Sequence, residues 1–138
     1  MHLSDDTLAR PLPVITDMNG YFWLGGADGQ LHILCCEACG VYAHPYVGRC
    51  SACHSKAMSP KAVSGRAHVV GFTVNYQPWF PHVPVPYVVA FVEIEEQAGI
   101  RLVTNIVNSP VDQVAIGMPV KVLFEKQGEI FVPLFEPA

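Results

Sequence analysis

Two pairs of cysteines carry the most specific chemistry in this chain: Cys36-Glu-Ala-Cys39 and Cys50-Ser-Ala-Cys53, with ten residues between them. A two-residue gap lets both thiolates of a pair reach one ion, and two such knuckles complete the tetrahedral four-sulfur set that zinc accepts. Structural disulfides belong to oxidising compartments, and a thioredoxin-like redox pair comes singly beside a βαβ pattern. The spacing therefore points to metal. Four sulfurs leave no open position for water or substrate, so the expected ion holds structure and activates nothing. Gly40, just after the first knuckle, suits a left-handed turn because it has no Cβ to clash. His54 takes the matching place after the second knuckle. Cys35 stands one residue outside the spacing and reads as a small strand residue.

No second constellation suggests catalysis. His2, His32, His44, His54, His68 and His82 show no spacing that pairs them with a nucleophile, and Cys35 has no base beside it in sequence. His32 and His44 read as surface residues or neighbours of the metal ligands. Glu93 and Glu95 fall on one outward strand face, with Glu96 in the turn after them, as a solvated sheet edge would have them. No phosphate-binding glycine loop and no nucleophile elbow appears. The expectation is a chain with no catalytic residues of its own.

Composition bounds the partners. The 138 residues are 51% apolar and 14% charged, with twelve prolines and eleven glycines, which implies a real core, many turns and short strands. So apolar a surface-to-core balance hints at a permanent partner. The net charge of −4 argues against a broad phosphate-binding surface. A single-stranded nucleic-acid binder is nonetheless the competing class, because Phe72, Tyr76 and Trp79 could act as stacking platforms. Arg49, Lys56, Lys61 and Arg66 form a local basic island, with no Asp or Glu from residue 38 to residue 92. That island either meets the phosphates of one small ligand or balances an anionic metal site. The first residues show neither a basic nor a strongly apolar leader, and Val83 to Ile94 is too short and too proline-broken to span a bilayer. Cytoplasm is the expected address.

The elements that must position these residues follow in order. Residues 1–30 read as an extended arm with a short helix, capped by Asp17, carrying Tyr21, Phe22 and Leu24 on its apolar side and ended by Gly25 and Gly26. Residues 31–60 form the ribbon, with a strand from Leu31 to Cys35 and a return strand from Val41 to Pro45. Residues 55–65 read as a connector. Residues 61–138 hold five strands: Ala67–Tyr76 with a bend at Gly71, Tyr87–Glu95, Ile100–Val107, Pro119–Glu125 and Ile130–Phe135. Pro133 marks the last as an edge. Asn108 or Ser109 caps a helical turn between the third and fourth of them, with Pro110 at its first position. That order is the order of an OB-fold barrel, with an SH3-like barrel as the alternative. The fold class is mainly β: a helical arm, a zinc ribbon and a C-terminal five-stranded barrel.

Several motifs in the right order resemble one family. They are CxxCG and CxxC, the stretch Val63-Ser64-Gly65-Arg66, the strand Pro86-Tyr87-Val88-Val89-Ala90, then Arg101-Leu102-Val103-Thr104-Asn105 and Ile116-Gly117-Met118-Pro119-Val120. The chain from about Asp17 onward resembles a family catalogued as a domain of unknown function, a rubredoxin-like zinc ribbon followed by an OB-fold and linked to acyl-CoA metabolism. His54 departs from its usual glycine, and the loop Gln77-Pro-Trp-Phe-Pro-His-Val-Pro84 is unusually aromatic. The resemblance implies a non-catalytic accessory subunit of a thiolase-like enzyme that condenses, cleaves or transfers acyl groups, in a hetero-oligomer. It implies structural zinc on Cys36, Cys39, Cys50 and Cys53, and CoA or acyl-CoA as ligand of the complex. Arg66 and Lys56 are the candidate contacts for CoA phosphate. Tyr21, Phe22, Trp23, Trp79 and Phe80 are the candidate contacts for the partner, because large aromatics entering pockets dominate interface energy.

Overall fold

The computed structural model describes residues 10–138; the first nine residues of the expected arm lie outside them. A one-turn helix α1 (Gly20–Trp23) leads into a 3-10 turn (Gly25–Asp28). A three-stranded sheet follows, in the order β2-β1-β3, built from β1 (Leu31–Cys36), β2 (Tyr42–Ala43) and β3 (Met58–Val63). Five more strands close a barrel in the order β4-β5-β6-β8-β7: β4 (Arg66–Asn75), β5 (Tyr87–Ile94), β6 (Arg101–Ile106), β7 (Pro119–Gln127) and β8 (Ile130–Pro137). A short 3-10 turn (Val111–Gln113) separates β6 from β7. Strand order and this turn make the barrel an OB-fold.

Alternation sets the barrel wall. Val88, Ala90, Val92 and Ile94 of β5 point inward and are buried, as are Leu102, Thr104 and Ile106 of β6. The expected bend at Gly71 is a bulge: the β4–β5 register shifts between Val69 and Gly71, which curls the strand as closure demands. Leu31, Ile33 and Val63 of the ribbon sheet share one core cluster with the barrel residues and with Phe22. Ribbon and barrel are thus joined by continuous packing. The only covalent joint is Ser64–Gly65, where Gly65 has φ +80 and lies against Val122.

Four local expectations need correction. Asn19, not Asp17, sits at the helix start, and its side chain accepts from the Thr16 N–H and donates to the Val14 carbonyl rather than capping the turn. Gly25 and Gly26 do not end the helical segment; they open the 3-10 turn, where Gly26 fits between Phe124 and Phe131 so closely that a Cβ would collide with both. Residues 58–63 of the expected connector are a strand, paired with β1 from Leu31↔Val63 to Cys36↔Met58. Its exposed Pro60, Lys61 and Ala62 show no alternation, because backbone pairing rather than a buried face defines it. Neither Asn108 nor Ser109 caps the later turn; Pro110 occupies the cap position without a side-chain bond.

Pro133 is not at an edge either. It pairs with Phe124 of β7, and its carbonyl accepts the Thr104 hydroxyl of β6 at 3.0 Å. The reason lies in the barrel's seam: β6 and β8 share one rung, Ile106↔Phe135, and run parallel. Side chains close the rest. Thr104 spans the gap directly, and Arg10 reaches from outside to Asn105 of β6 and Glu125 of β7. Phe22 and Trp23 of α1 line the shallow depression along this seam, about 230 Å³, together with Leu102, Thr104 and Pro133.

Candidate metal centre and exposed surfaces

The two knuckles are near copies of one another. In the first, the Cys36 N–H donates to the Val41 carbonyl and the Gly40 N–H to the Cys36 carbonyl. In the second, the Cys50 N–H donates to the Ser55 carbonyl and the His54 N–H to the Cys50 carbonyl. Each ends in a left-handed residue, Gly40 at φ +80 and His54 at φ +63. His54 therefore adopts the strained turn that glycine would take without cost.

Facing each other, the knuckles bring Cys36 Sγ to 3.6 Å from Cys53 Sγ, and Cys39 Sγ to 3.5 Å from Cys50 Sγ. All four sulfurs lie within 4.8 Å of one another. A tetrahedron with zinc–sulfur arms of 2.3 Å has edges of about 3.8 Å, so the cluster matches a four-thiolate ion in donor type and spacing. Backbone amides prepare it. The Cys53 and Ala52 N–H groups pull Cys50 down to about 6, and the Cys39 and Ala38 N–H groups lower Cys36. Cys39 is subject first to the lowering influence of the Val41 backbone, yet hydrogen bonding with the Cys50 thiol, burial and its other cysteine neighbours push it up to about 12. Cys35 stands outside the cluster, buried, with its thiol against the Gly40 carbonyl.

His32 and His44 are half-buried rather than exposed, whereas His54 is exposed. His44 is half-buried against the Phe22 ring, 4.9 Å between centroids, and its Nδ1 is buried without a partner among the described residues. Burial holds its pKa below the usual value. His32 is half-buried and pairs with Asp28 at 3.3 Å through Nε2, while its Nδ1 is buried with no partner among the described residues. Glu93 is half-buried too: it accepts from the Gly99 N–H and from Arg101, which hold its carboxyl below the ordinary range.

The basic island is spread out. Arg49 donates to the His54 carbonyl beside the knuckle, and Lys61 lies over the Tyr42 ring. Lys56 precedes β3 and Arg66 opens β4, both exposed, so the rise of a six-residue strand, about 20 Å, lies between them. Among the aromatics named above, Phe22 is buried in the chain's own core, edge-on to Trp23 at 4.9 Å, while Tyr21 and Trp23 are half-buried. Trp79 and Phe80 are exposed, and Trp79 donates its ring N–H to Asn75.

Sequence reasoning missed one surface. Phe91 of β5 stands opposite Val103 of β6 on the barrel's outer face, and both are mostly exposed at 52% and 66%. Together with Phe72 and Val89 they line a depression of about 270 Å³. Val89 and Val103 also border the seam depression beside Trp23, so an apolar strip runs from α1 across the sheet. The signal was available: large apolar residues at outward positions of an alternating strand.

Ribbon and barrel together define a protein of the zinc-ribbon and OB-fold class. A family profile described as the C-terminal OB-fold domain of ChsH2 matches residues 60–125. The structure described as "Ltp2-ChsH2(DUF35) aldolase" superposes with a TM-score of 0.82 at 34% identity, covering 91% of this chain and 98% of that one. The chain belongs to the DUF35 family. A DUF35 protein from Sulfolobus solfataricus shares the fold at 18% identity and a TM-score of 0.61, over 89% of this chain and 87% of that one. Two relatives are a probable enoyl-CoA hydratase alpha subunit from Thermomonospora curvata, 36% identical over 94% of this chain, and the 3-oxo-4,17-pregnadiene-20-carboxyl-CoA hydratase alpha subunit from Mycobacterium tuberculosis, 33% identical over 88%. The chain spans only 40% and 38% of their lengths. No described helix is long and apolar enough to cross a membrane.

Proposed function

We propose that this chain is an accessory subunit of a thiolase-like enzyme acting on acyl-CoA, that it does no bond chemistry itself, and that its ribbon is held by zinc. The observation that carries this is its end-to-end likeness to the DUF35 chain of an aldolase described by two component names. Relatives named as alpha subunits of CoA-ester enzymes support the same reading. Zinc on Cys36, Cys39, Cys50 and Cys53 supplies a cross-link between knuckles and no reactive position. The partner covers the apolar strip of Trp23, Val103 and Phe91, with Trp79 and Phe80 as a second contact. Phe22 serves from beneath, by fixing the angle of α1. Arg66 and Lys56 remain the proposed contacts for CoA, each on its own, since groups so far apart do not share one phosphate.

Co-expression with a thiolase-like subunit tests the proposal. The two chains should copurify, and acyl-CoA turnover should require both. Phe91→Ser combined with Val103→Ser should weaken assembly at least tenfold, as loss of buried interface anchors does, with Trp79→Ala giving a smaller loss. Arg66→Glu should lower CoA affinity at low salt without disturbing assembly. Turnover by the isolated chain in proportion to its own concentration would overturn the reading, as would a partner equally active without it.

A further inference from the structure

A cavity of about 410 Å³ opens at the seam end of the barrel, apart from the cysteine cluster and sharing Asn105 and Leu134 with the seam depression. Its walls are apolar, from Phe80, Val83 and Pro86 of the loop before β5 and Ile106 and Leu134 of the barrel. Its polar lining comes from Arg10, Asn105, Asn108, Ser109 and Glu125. The Glu125 side chain is only 2% exposed and that of Arg10 20%. Arg10 forks onto the carboxylate through Nε at 2.8 Å and Nη2 at 3.3 Å, and donates through Nη1 to Asn105 Oδ1. Gln127 adds a further bond to Glu125, and Asn105 donates to the Val88 carbonyl. The carboxylate and the amide are thereby satisfied. Of the five guanidinium N–H bonds, two have no partner among the described residues.

We infer that this cavity is a binding site for a neutral, mostly apolar molecule carrying a ketone- or hydroxyl-type oxygen, which Arg10 receives. Its size falls within the range of small-molecule sites, about 300–1,000 Å³. A buried ion pair is seldom the most stable way to fill a barrel end, since apolar residues of similar volume do as well or better. Here the pair lines a largely apolar cavity, and two of its guanidinium N–H bonds have no partner among the described residues. Because Glu125 already neutralises Arg10, a second carboxylate would meet repulsion, whereas a neutral oxygen would accept a charge-assisted hydrogen bond. This site shares Phe80 with the proposed second partner contact but does not depend on the subunit reading.

The test uses the full chain loaded with zinc and two dyes: the naphthalene ketone Prodan and the same dye with its carbonyl reduced to a methylene. The ketone should bind saturably with blue-shifted emission, about tenfold more tightly than the reduced dye, as expected for a hydrogen bond to a charged donor. Val83→Trp, which fills the chamber and leaves the ion pair alone, should abolish binding of both. Arg10→Met with Glu125→Leu should keep the dye bound but erase the ketone's advantage. An absence of saturation, binding that survives Val83→Trp, or equal affinity of the native chain for both dyes would overturn the assignment. So would displacement of the dye by CoA lacking an acyl group.

Discussion

Among single residues, the cysteines divide by a single position in sequence. Cys36 and its three partners converge, while Cys35 turns its thiol to the Gly40 carbonyl. Cys39→Ser should therefore lose the metal, and Cys35→Ser should retain about one equivalent of zinc per chain, as read by elemental analysis of purified protein. Full occupancy in the Cys39 variant would contradict the site. His44 offers a second test. Its folded pKa lies below the ordinary 6.5 because burial disfavours the charged ring, so the unfolded chain takes up a proton first as pH falls. The stability this contributes is fully present above pH 6.5 and is lost as pH drops through the lower folded value. Denaturation midpoints measured from about pH 8 to about pH 5 should fall in the native protein and fall less in His44→Phe. A steeper fall in the variant would refute the sign.

Individual elements differ in how far the sequence disclosed them. The knuckles were readable because their geometry is local, and the barrel because Val88, Ala90, Val92 and Ile94 alternate on one strand. β3 was not, since its residues bury almost nothing and its partner lies across the ribbon. The ion pair of Arg10 with Glu125 could not be read either: it joins residues 115 apart, and Glu125 breaks the alternation of its own strand. Pro133 misled because a missing N–H suggests an edge, whereas the seam uses its carbonyl. One glycine makes an element-level prediction. Gly65 has φ +80 and abuts Val122 where β3 passes into β4. Gly65→Ala should cost about 1–3 kcal/mol from backbone strain and overpacking together, measured by chemical denaturation. Gly71→Ala, at a position with open space and no positive φ, should cost less.

For the molecule as a whole, the cysteine cluster and the core lie at different ends of the ribbon. Leu31, Ile33 and Val63 belong to the barrel's core cluster, whereas the knuckles have little beneath them beyond buried Cys36 and Cys50. A zinc chelator should accordingly release hydrogen-exchange protection at Gly40, Cys50 and His54 amides, and leave β5 and β6 protected. Uniform loss of protection across both regions would show that ribbon and barrel unfold as one unit.

The turn between β5 and β6 reaches across to the ribbon. The Glu96 carboxylate accepts the Ser64 N–H at 2.6 Å, and the Gln97 amide grips both the N–H and the carbonyl of Tyr42 in β2. The ribbon is thus moored to the barrel at a third place, besides the shared core and the Ser64–Gly65 link, and the hairpin that carries this mooring is the one bearing Phe91 and Val103.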